Sequence, residues 1–567
     1  MERIDARWLQ VARGEAPADL VVTGGRVFNV FTGEWMETEV AIADGHVVGL
    51  GEGYQGGRRL DVDGHHVVPG FIDAHMHLES SKLLVDQFAR TVVPRGTTTV
   101  VVDPHEIANV LGTDGVHWLL DQCRDLPLAV YMMAPSSVPA SPFESPRRPL
   151  TQGDLSALLR RRRVLGVAEM MNYPGVVAGD PAELAKLHSD LTGHVDGHAP
   201  GLTGKALCAY VAAGIRSDHE STTAAEALEK RRLGMWVLLR EASNARNLLD
   251  LLPMVRELGP DRCAFCTDDR EPDFLVEQGH LDQMLRLAVA HGVRPEAALL
   301  MATLHPAQCH GLQDRGAIAP GCWADLVVLE DLRDFRALGV LTRGKEPVYP
   351  TLEVPDWVRQ TVHLGPVPAS VFSVPAPAGT LRVIGVVPGQ LLTTEERMEA
   401  TVHEGRAVAD PARDLAKIAV LERHHATGRV GLGFVTHTGL RRGAFASTVA
   451  HDAHNLVVVG VDDEDMACCA RRLGELGGGI AVAEGGRVMG ELALPVAGLM
   501  SGRPAEEVAA ALARLQEQLR ERGVTIPAPF MALSFLALSV IPALKLTDRG
   551  LVDVDRRRLV ALDTAAG

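Results

Sequence analysis

The chain has 567 residues, 46% of them hydrophobic and 23% charged. That length and balance suit a globular protein of roughly two to four domains and exclude a disordered polyelectrolyte, a fibre and a disulfide-stapled miniprotein. Acidic residues outnumber basic ones 72 to 56, for a formal charge of −16, and a field of that sign repels phosphate backbones and anionic head groups, so we expect no nucleic acid and no membrane as partners.

The first twenty residues, MERIDARWLQVARGEAPADL, hold no continuous apolar stretch of the kind an export signal needs, so we expect a cytoplasmic protein. Residues 19–66 then contain short β-rich runs, LVVTGGRVFNV and EVAIADGHVVGLG, punctuated by glycine, and the pattern returns in GAIAPGCWADLVVLEDL at 316–332. We expect one small discontinuous β domain built from 1–66 and 316–370, on both flanks of a larger insert.

Within that insert, 67–315, apolar runs alternate with helical stretches. The runs are HVVPGFIDAHMH, TTTVVVDPHE, LAVYMMAPSS, VLGVAEMMN, HVDGHAPG, IRSDHEST, MWVLLREAS and CAFCTDD. Parallel strands buried on both faces read as continuous apolar segments, and eight such units in about 250 residues predict an α/β fold of the TIM type, a (β/α)8 barrel. Almost every run ends in His, Asp, Glu, Ser or Arg, at the rim where the active sites of such barrels form.

After Pro350 a proline-rich connector leads to 379–567, which we read as a C-terminal α+β domain. Its clearest helix is expected to start with Pro504 as the first helical residue, Glu506 and Glu507 in the first turn, and Val508, Leu512, Leu515 and Leu519 as a core-facing stripe. The apolar segment Phe530 to Leu546 is broken by Ser534, Ser539 and Pro542 and falls short of the roughly 20 apolar residues that span a bilayer, so it is expected to be core.

His75 and His77 flank Met76, and strand alternation sends both imidazoles, together with Asp73, to one face. Glu169, His198, His219 and Asp268 stand at the tips of the fourth, fifth, sixth and eighth runs. Any one histidine is most simply a core or rim residue. Six such groups at the mouth ends of five strands can hold two adjacent divalent ions with positions left for water. Two ions about 3.5–4 Å apart need an anionic bridge. No lysine occurs between Lys82 and Lys186, so a carboxylated lysine on the fourth strand is unavailable and Glu169 is the expected bridge.

Other motifs fail their tests. Cys263 and Cys266 form a lone CxxC whose members face opposite sides of a strand, and eight cysteines make no disulfide ladder. GLTGK at 201–205 has Ala199 and Ala206 where a phosphate loop needs glycine and Ser/Thr, and the zinc signature of the base deaminases is absent.

PGFIDAHMHLES, the strand-end series and the closing GAIAPGCWADLVVL resemble the amidohydrolase superfamily. DPHEIANVLG at 103–112, AEMMNYPGV, DGHAPGLTGKAL, SDHEST, TDDR, GAFASTVAHDAHNLVVVG and SFLALSVIPALKLTDRGLVDV sharpen the likeness over nearly the whole chain to the adenine deaminases of the bacterial and archaeal type. The resemblance implies hydrolytic deamination of the purine base adenine to hypoxanthine and ammonia at a two-metal centre of manganese or iron, with zinc a further candidate, in an enzyme we expect to be a homo-oligomer. It implies His75, His77, Glu169, His198, His219 and Asp268 as ligands, and Asp268 as general acid/base. His105 and Glu106 are candidates either for stabilising charge on the purine or for the metal shell, and Glu220 and Asp269 for orienting the ligands. His451, Asp452 and His454 of AHDAHN either close over the site or cap their own domain. Ser539 stands where the family pattern leads us to expect proline. The competing readings are another amidohydrolase reaction, on a cyclic amide or an N-acyl bond, and an inactive scaffold of the same fold.

Overall fold

The computed structural model describes residues 5–189 and 193–566. Among them, eight parallel strands form the barrel: β1 (Phe71–Met76), β2 (Thr97–Val102), β3 (Ala129–Ala134), β4 (Val164–Met170), β5 (Val195–Gly197), β6 (Ser217–Asp218), β7 (Trp236–Arg240) and β8 (Cys263–Cys266). β5 to β1 form one hydrogen-bonded sheet in reverse order, and β6, β7 and β8 form another. Their sequences explain them. β2 is TTTVVV, wholly buried and mostly β-branched, and helices on the outside leave such strands no wet face.

Two seams close the ring. Arg216 donates its backbone N–H to Val195 at 2.9 Å beside β5. At the other seam the backbone of Asp268 donates to His75 at 3.1 Å and accepts from His77 at 3.3 Å. Between β5 and β6 the backbones crowd, since a methyl group on Gly197 would stand 2.5 Å from the Ser217 carbonyl oxygen. Glycine is therefore needed there, directly before His198.

The apolar run that reads as one strand, 66–77, is divided between two sheets. His66–Pro69 pairs with Arg26–Asn29 and Leu326–Leu329 in a five-stranded sheet that draws on both flanks of the barrel. Phe71–Met76 then enters the barrel. The switch falls at Pro69-Gly70, where Pro69 offers no N–H to extend the ladder and a side chain on Gly70 would collide with Thr98. A second sheet, with strands Ala18–Thr23, Glu39–Ala43, His46–Gly51 and Gly56–Asp61, lies alongside.

Beyond residue 379 an eight-stranded sheet carries the helices Asp463–Leu476 and Ala505–Glu521. The second helix buries Val508, Leu512, Leu515 and Leu519 as its periodicity predicts, but Pro504 caps it with extended backbone instead of joining its first turn. Phe530, Leu533, Phe535 and Leu546 are core. Ser539 bonds hydroxyl to hydroxyl with Ser141 of the barrel at 2.6 Å, a contact that proline could not make. This region docks on the barrel mouth. Ser501 exchanges backbone bonds with Lys82 and Leu84 at 2.8 Å, and the Ser145 hydroxyl donates to Asp548 at 2.7 Å. Among the described residues no helix is long and apolar enough to cross a membrane.

Candidate metal centre at the barrel mouth

Glu169, near the end of β4, is the hub of the mouth. Its Oε2 lies 2.6 Å from His198 Nδ1 and 3.3 Å from His219 Nε2, and its Oε1 lies 3.4 Å from His77 Nε2 and 3.6 Å from His105 Nδ1. Each carboxylate oxygen thus meets two imidazoles from different strand ends. His75 stacks on His219 with ring centroids 4.1 Å apart. Asp268 closes the ring from β8. Its Oδ1 is 3.2 Å from His77 Nε2, and its Oδ2 accepts from Arg240 Nη1 at 2.8 Å. None of these ligand candidates is more than 7% exposed. Asp268 holds left-handed backbone, φ 53°, unusual outside glycine and asparagine and a recurrent feature of functional sites.

The structure joins the remaining candidates to this cluster from two directions. His105 and Glu106 open the helix His105–Gln122 after β2. The His105 Nδ1 lies 3.1 Å from Asp103 Oδ2, and Glu106 Oε2 lies 3.5 Å from His77 Nδ1. From the C-terminal region, Asp452 Oδ1 comes within 3.5 Å of His105 Nε2, and His451 Nε2 within 3.6 Å of Asp269 Oδ1. His454 turns back instead and accepts from the Ala450 N–H at 3.1 Å. Glu220 receives the Arg240 guanidinium and lies 3.5 Å from His219 Nε2.

Asp73, which alternation puts on the face of His75 and His77, stays outside the ligand cluster. It accepts from the Thr267 hydroxyl at 2.6 Å and the Thr267 N–H at 3.1 Å, with His280 Nε2 at 3.2 Å, and so is spent one layer deeper, holding β1 to β8. Four participants were not singled out from the sequence: Asp103, Arg240, Glu79 and Ser80. Ser80 donates to Asp269, and Glu79 Oε1 accepts from the Ile107 N–H at 3.1 Å. Arg240 ends the seventh run as His198 and His219 end theirs, which is the signal that could have found it.

Electrostatics follow from this crowding of opposite charge. Burial alone would raise the Glu169 carboxyl, but His219 and His198 outweigh it and hold the group well below the ordinary range. Asp268 is likewise held low, His77 and Arg240 prevailing over burial. For His219 burial opposes protonation, yet Glu169 carries it up to about 9. His75, buried and beside His219, falls to about 3.

Overlapping sets bring their ligand atoms within 4.8 Å of one another, among them His75, His77 and Asp268; His75, Glu169 and His219; His77, Asp103, His105 and Glu169; and His105, Glu106 and His451. His75 Nε2, His198 Nε2 and His105 Nε2 are among the buried nitrogens with no hydrogen-bond partner among the described residues. Imidazole nitrogens with carboxylate oxygens and no thiolate form a donor set that suits manganese, iron or zinc.

Comparison with known proteins agrees with this geometry. Residues 66–347 match the amidohydrolase family, whose class of metal-dependent hydrolytic barrel the fold and the mouth define. Residues 390–558 match the adenine deaminase C-terminal domain. The chain is 46% identical to adenine deaminase 2 of Carboxydothermus hydrogenoformans over 96% of this chain and 97% of that one. It is 47% identical to an adenine deaminase of Cereibacter sphaeroides, covering 98% and 99% of the two chains, and 44% identical to one of Desulfatibacillum aliphaticivorans, covering 99% and 100%. The chain belongs to the adenine deaminase family.

Proposed function

We propose that this protein hydrolyses adenine to hypoxanthine and ammonia; the relatives it resembles over their full length are named adenine deaminases. The observation that carries the reading is Glu169, whose two oxygens each meet two imidazoles. A carboxylate so placed can bridge two divalent ions, manganese or iron with zinc as the third candidate, held by His75, His77, His198, His219 and Asp268, with His105 and Asp103 completing the set. Such ions lower the pKa of a coordinated water from 15.7 toward about 7, and so supply a nucleophile at neutral pH.

The protein's own groups handle the protons. Asp268 is kept ionised, with Arg240 fixing its Oδ2, so Oδ1 is the atom that passes one water proton to the ring nitrogen beside C6 and then the second, from the oxygen added at C6, to the amine, which leaves as ammonia when the C6–N bond breaks. Glu106, Asp269 and His451 form a second group of hydrogen-bonding atoms against the mouth and orient the base. His451 and Asp452, on the loop after Ala444–Ser447, exclude water from above. Glu220 steadies Arg240, and His454 holds the turn that carries His451. We further propose three units, 1–66 with 316–370, 67–315 and 379–567, in a cytoplasmic homo-oligomer.

The test is ammonia release from adenine by protein reconstituted with manganese or iron, run beside cyclic amides and N-acyl amino acids. Turnover of adenine is expected. Amide hydrolysis without deamination would replace this reading with another amidohydrolase reaction, and inertness with every metal would leave a scaffold.

A further inference from the structure

The opposite end of the barrel holds a cavity of about 940 Å³ that the deaminase reading does not use. Its walls come from the N-terminal ends of β3 and β4, the turns before them and the flanking sheets. Glu169 lies five residues into the strand that starts at Val164, directly after Arg163, so the cavity and the metal centre are separated by roughly 17–20 Å at ~3.3 Å per residue.

In a chain with a formal charge of −16, six arginines converge on this concavity: Arg124, Arg161, Arg162, Arg163, Arg315 and Arg343. The carboxylates on its wall are Asp121, which pairs with Arg124 at 2.9 Å and Arg161 at 3.1 Å, and Asp314. Arg315 is tied to Asp325 and to the Tyr131 hydroxyl. Arg163 and Arg343 have no carboxylate within ion-pair distance among the described residues. Arg163 donates to the Cys123 carbonyl at 3.0 Å, and Arg343 lies over the Trp323 ring at 5.6 Å. The positive field shows on Arg163, which burial and then repulsion from Arg343 and Arg315 make easier to deprotonate.

Aromatic surface lines the same space. Trp8, His46 and Trp323 form a ladder with centroids 4.2 and 3.8 Å apart, and Tyr131 forms part of the wall under the Arg315 guanidinium. Guanidinium forks match phosphate oxygens two at a time, and aromatic faces and guanidinium planes both stack nucleobases. The volume lies within the range of small-molecule sites. From this combination we infer that the cavity binds a nucleotide, its phosphates on Arg163 and Arg343 and its base against the aromatic wall.

The test is calorimetric titration of the metal-loaded protein with UDP, ADP, uridine and pyrophosphate at low salt. UDP is the decisive probe because its base is not a purine and does not compete at the metal centre. We expect UDP and ADP to saturate one site, at least tenfold more tightly than uridine or pyrophosphate, and to weaken steeply with salt. R163Q and R343Q should each weaken UDP about tenfold, the size of a lost charge-assisted contact, with deaminase kcat/KM unchanged. R161Q, at the exposed rim, should act in the same direction if either inner variant fails to fold. Failure of UDP and ADP to saturate in the low millimolar range, pyrophosphate binding as tightly as UDP, or unaltered affinity in all three variants would each overturn the inference. None of these outcomes bears on the deaminase reading.

Discussion

At the C-terminal ends of the barrel strands charge is buried and neutralised in place, whereas at the N-terminal ends arginines outnumber the carboxylates beside them and several stand partly in water. Glu169, Asp268 and the imidazoles around them lie within hydrogen-bonding reach of partners on other strands, and the carboxylates and His219 hold one another in their charged forms while His75 is kept neutral. Arg161 and Arg162 at the other end stand at an open rim, and Arg163 turns to a backbone carbonyl. Mutual neutralisation fixes positions to a fraction of an ångström, as chemistry on a bound atom requires. A surplus of one sign leaves side chains adaptable and awaits a counter-charge from outside.

If the mouth works as a neutralised unit, removing its hub should cost most. Glu169→Ala deletes the proposed bridge and unpairs two imidazoles on each side. We expect loss of at least one metal equivalent per chain and a fall in kcat of about 10⁴ or more, because metal activation of water is worth several kcal/mol. Elemental analysis finding two metals in the purified variant would break the comparison at its centre. Asp268→Asn is milder. The amide keeps one oxygen but cannot take a proton, so metal content should hold while kcat falls by about 10²–10⁴. Unchanged turnover would return Asp268 to a purely structural role at the β1–β8 seam.

The two ends also differ in how far the sequence reveals them. Strand alternation and the position at run ends suffice to collect His75, His77, Glu169, His198, His219 and Asp268, because all of them sit in or just past the mouth ends of parallel strands that share one rim. Asp73 shows the limit of that logic. It obeys the same alternation, yet Thr267 and His280 claim it, and a neighbour on the next strand is invisible to a periodicity read along one strand. AHDAHN is recognisable as a motif, but the sequence leaves closure over the site and capping of its own domain equally open, since the choice depends on how the C-terminal sheet docks. The arginine cavity shows in the sequence only as the run Arg160 to Arg163, because Arg124, Arg315 and Arg343 come from separate turns with no shared period.

A buried carboxylate without a cationic partner offers a contrast within the same end. Glu144 is 3% exposed and accepts a backbone N–H from Ser141 at 3.1 Å, but no cationic side chain pairs with it among the described residues. Burial and then Asp452 push its carboxyl from 4.5 up to about 8. The folded state therefore holds a proton that the unfolded chain releases near pH 4.5, and stability falls as pH rises from about 4.5 to about 8, then levels off. Glu144→Gln mimics the protonated form and should remove that slope. Urea unfolding at pH 5 should barely separate variant from parent. At pH 9 the variant should be more stable by roughly 5 kcal/mol, at ~1.4 kcal/mol per pKa unit over the rise from 4.5 to about 8. An equal gap at both values would mean that Glu144 is not the titrating group.

The smallest effect expected concerns the loop that covers the mouth. His451 stacks on Phe535 with the rings 5° from parallel and centroids 4.9 Å apart, which anchors it to its own region, while its Nε2 reaches toward Asp269 across the boundary. The two contacts make separable predictions. If His451 orients the base, His451→Phe preserves the apolar stack and loses only the polar reach, so KM for adenine should rise about tenfold, the value of one hydrogen bond to a charged group, with metal content and unfolding midpoint unchanged. If it merely caps its own turn, KM stays put and any loss appears as stability. Steady-state kinetics on metal-replete enzyme, with His451→Gln as the variant that keeps a donor, decides between them, because a positioning role predicts that glutamine recovers part of KM and a packing role predicts that phenylalanine is the better replacement.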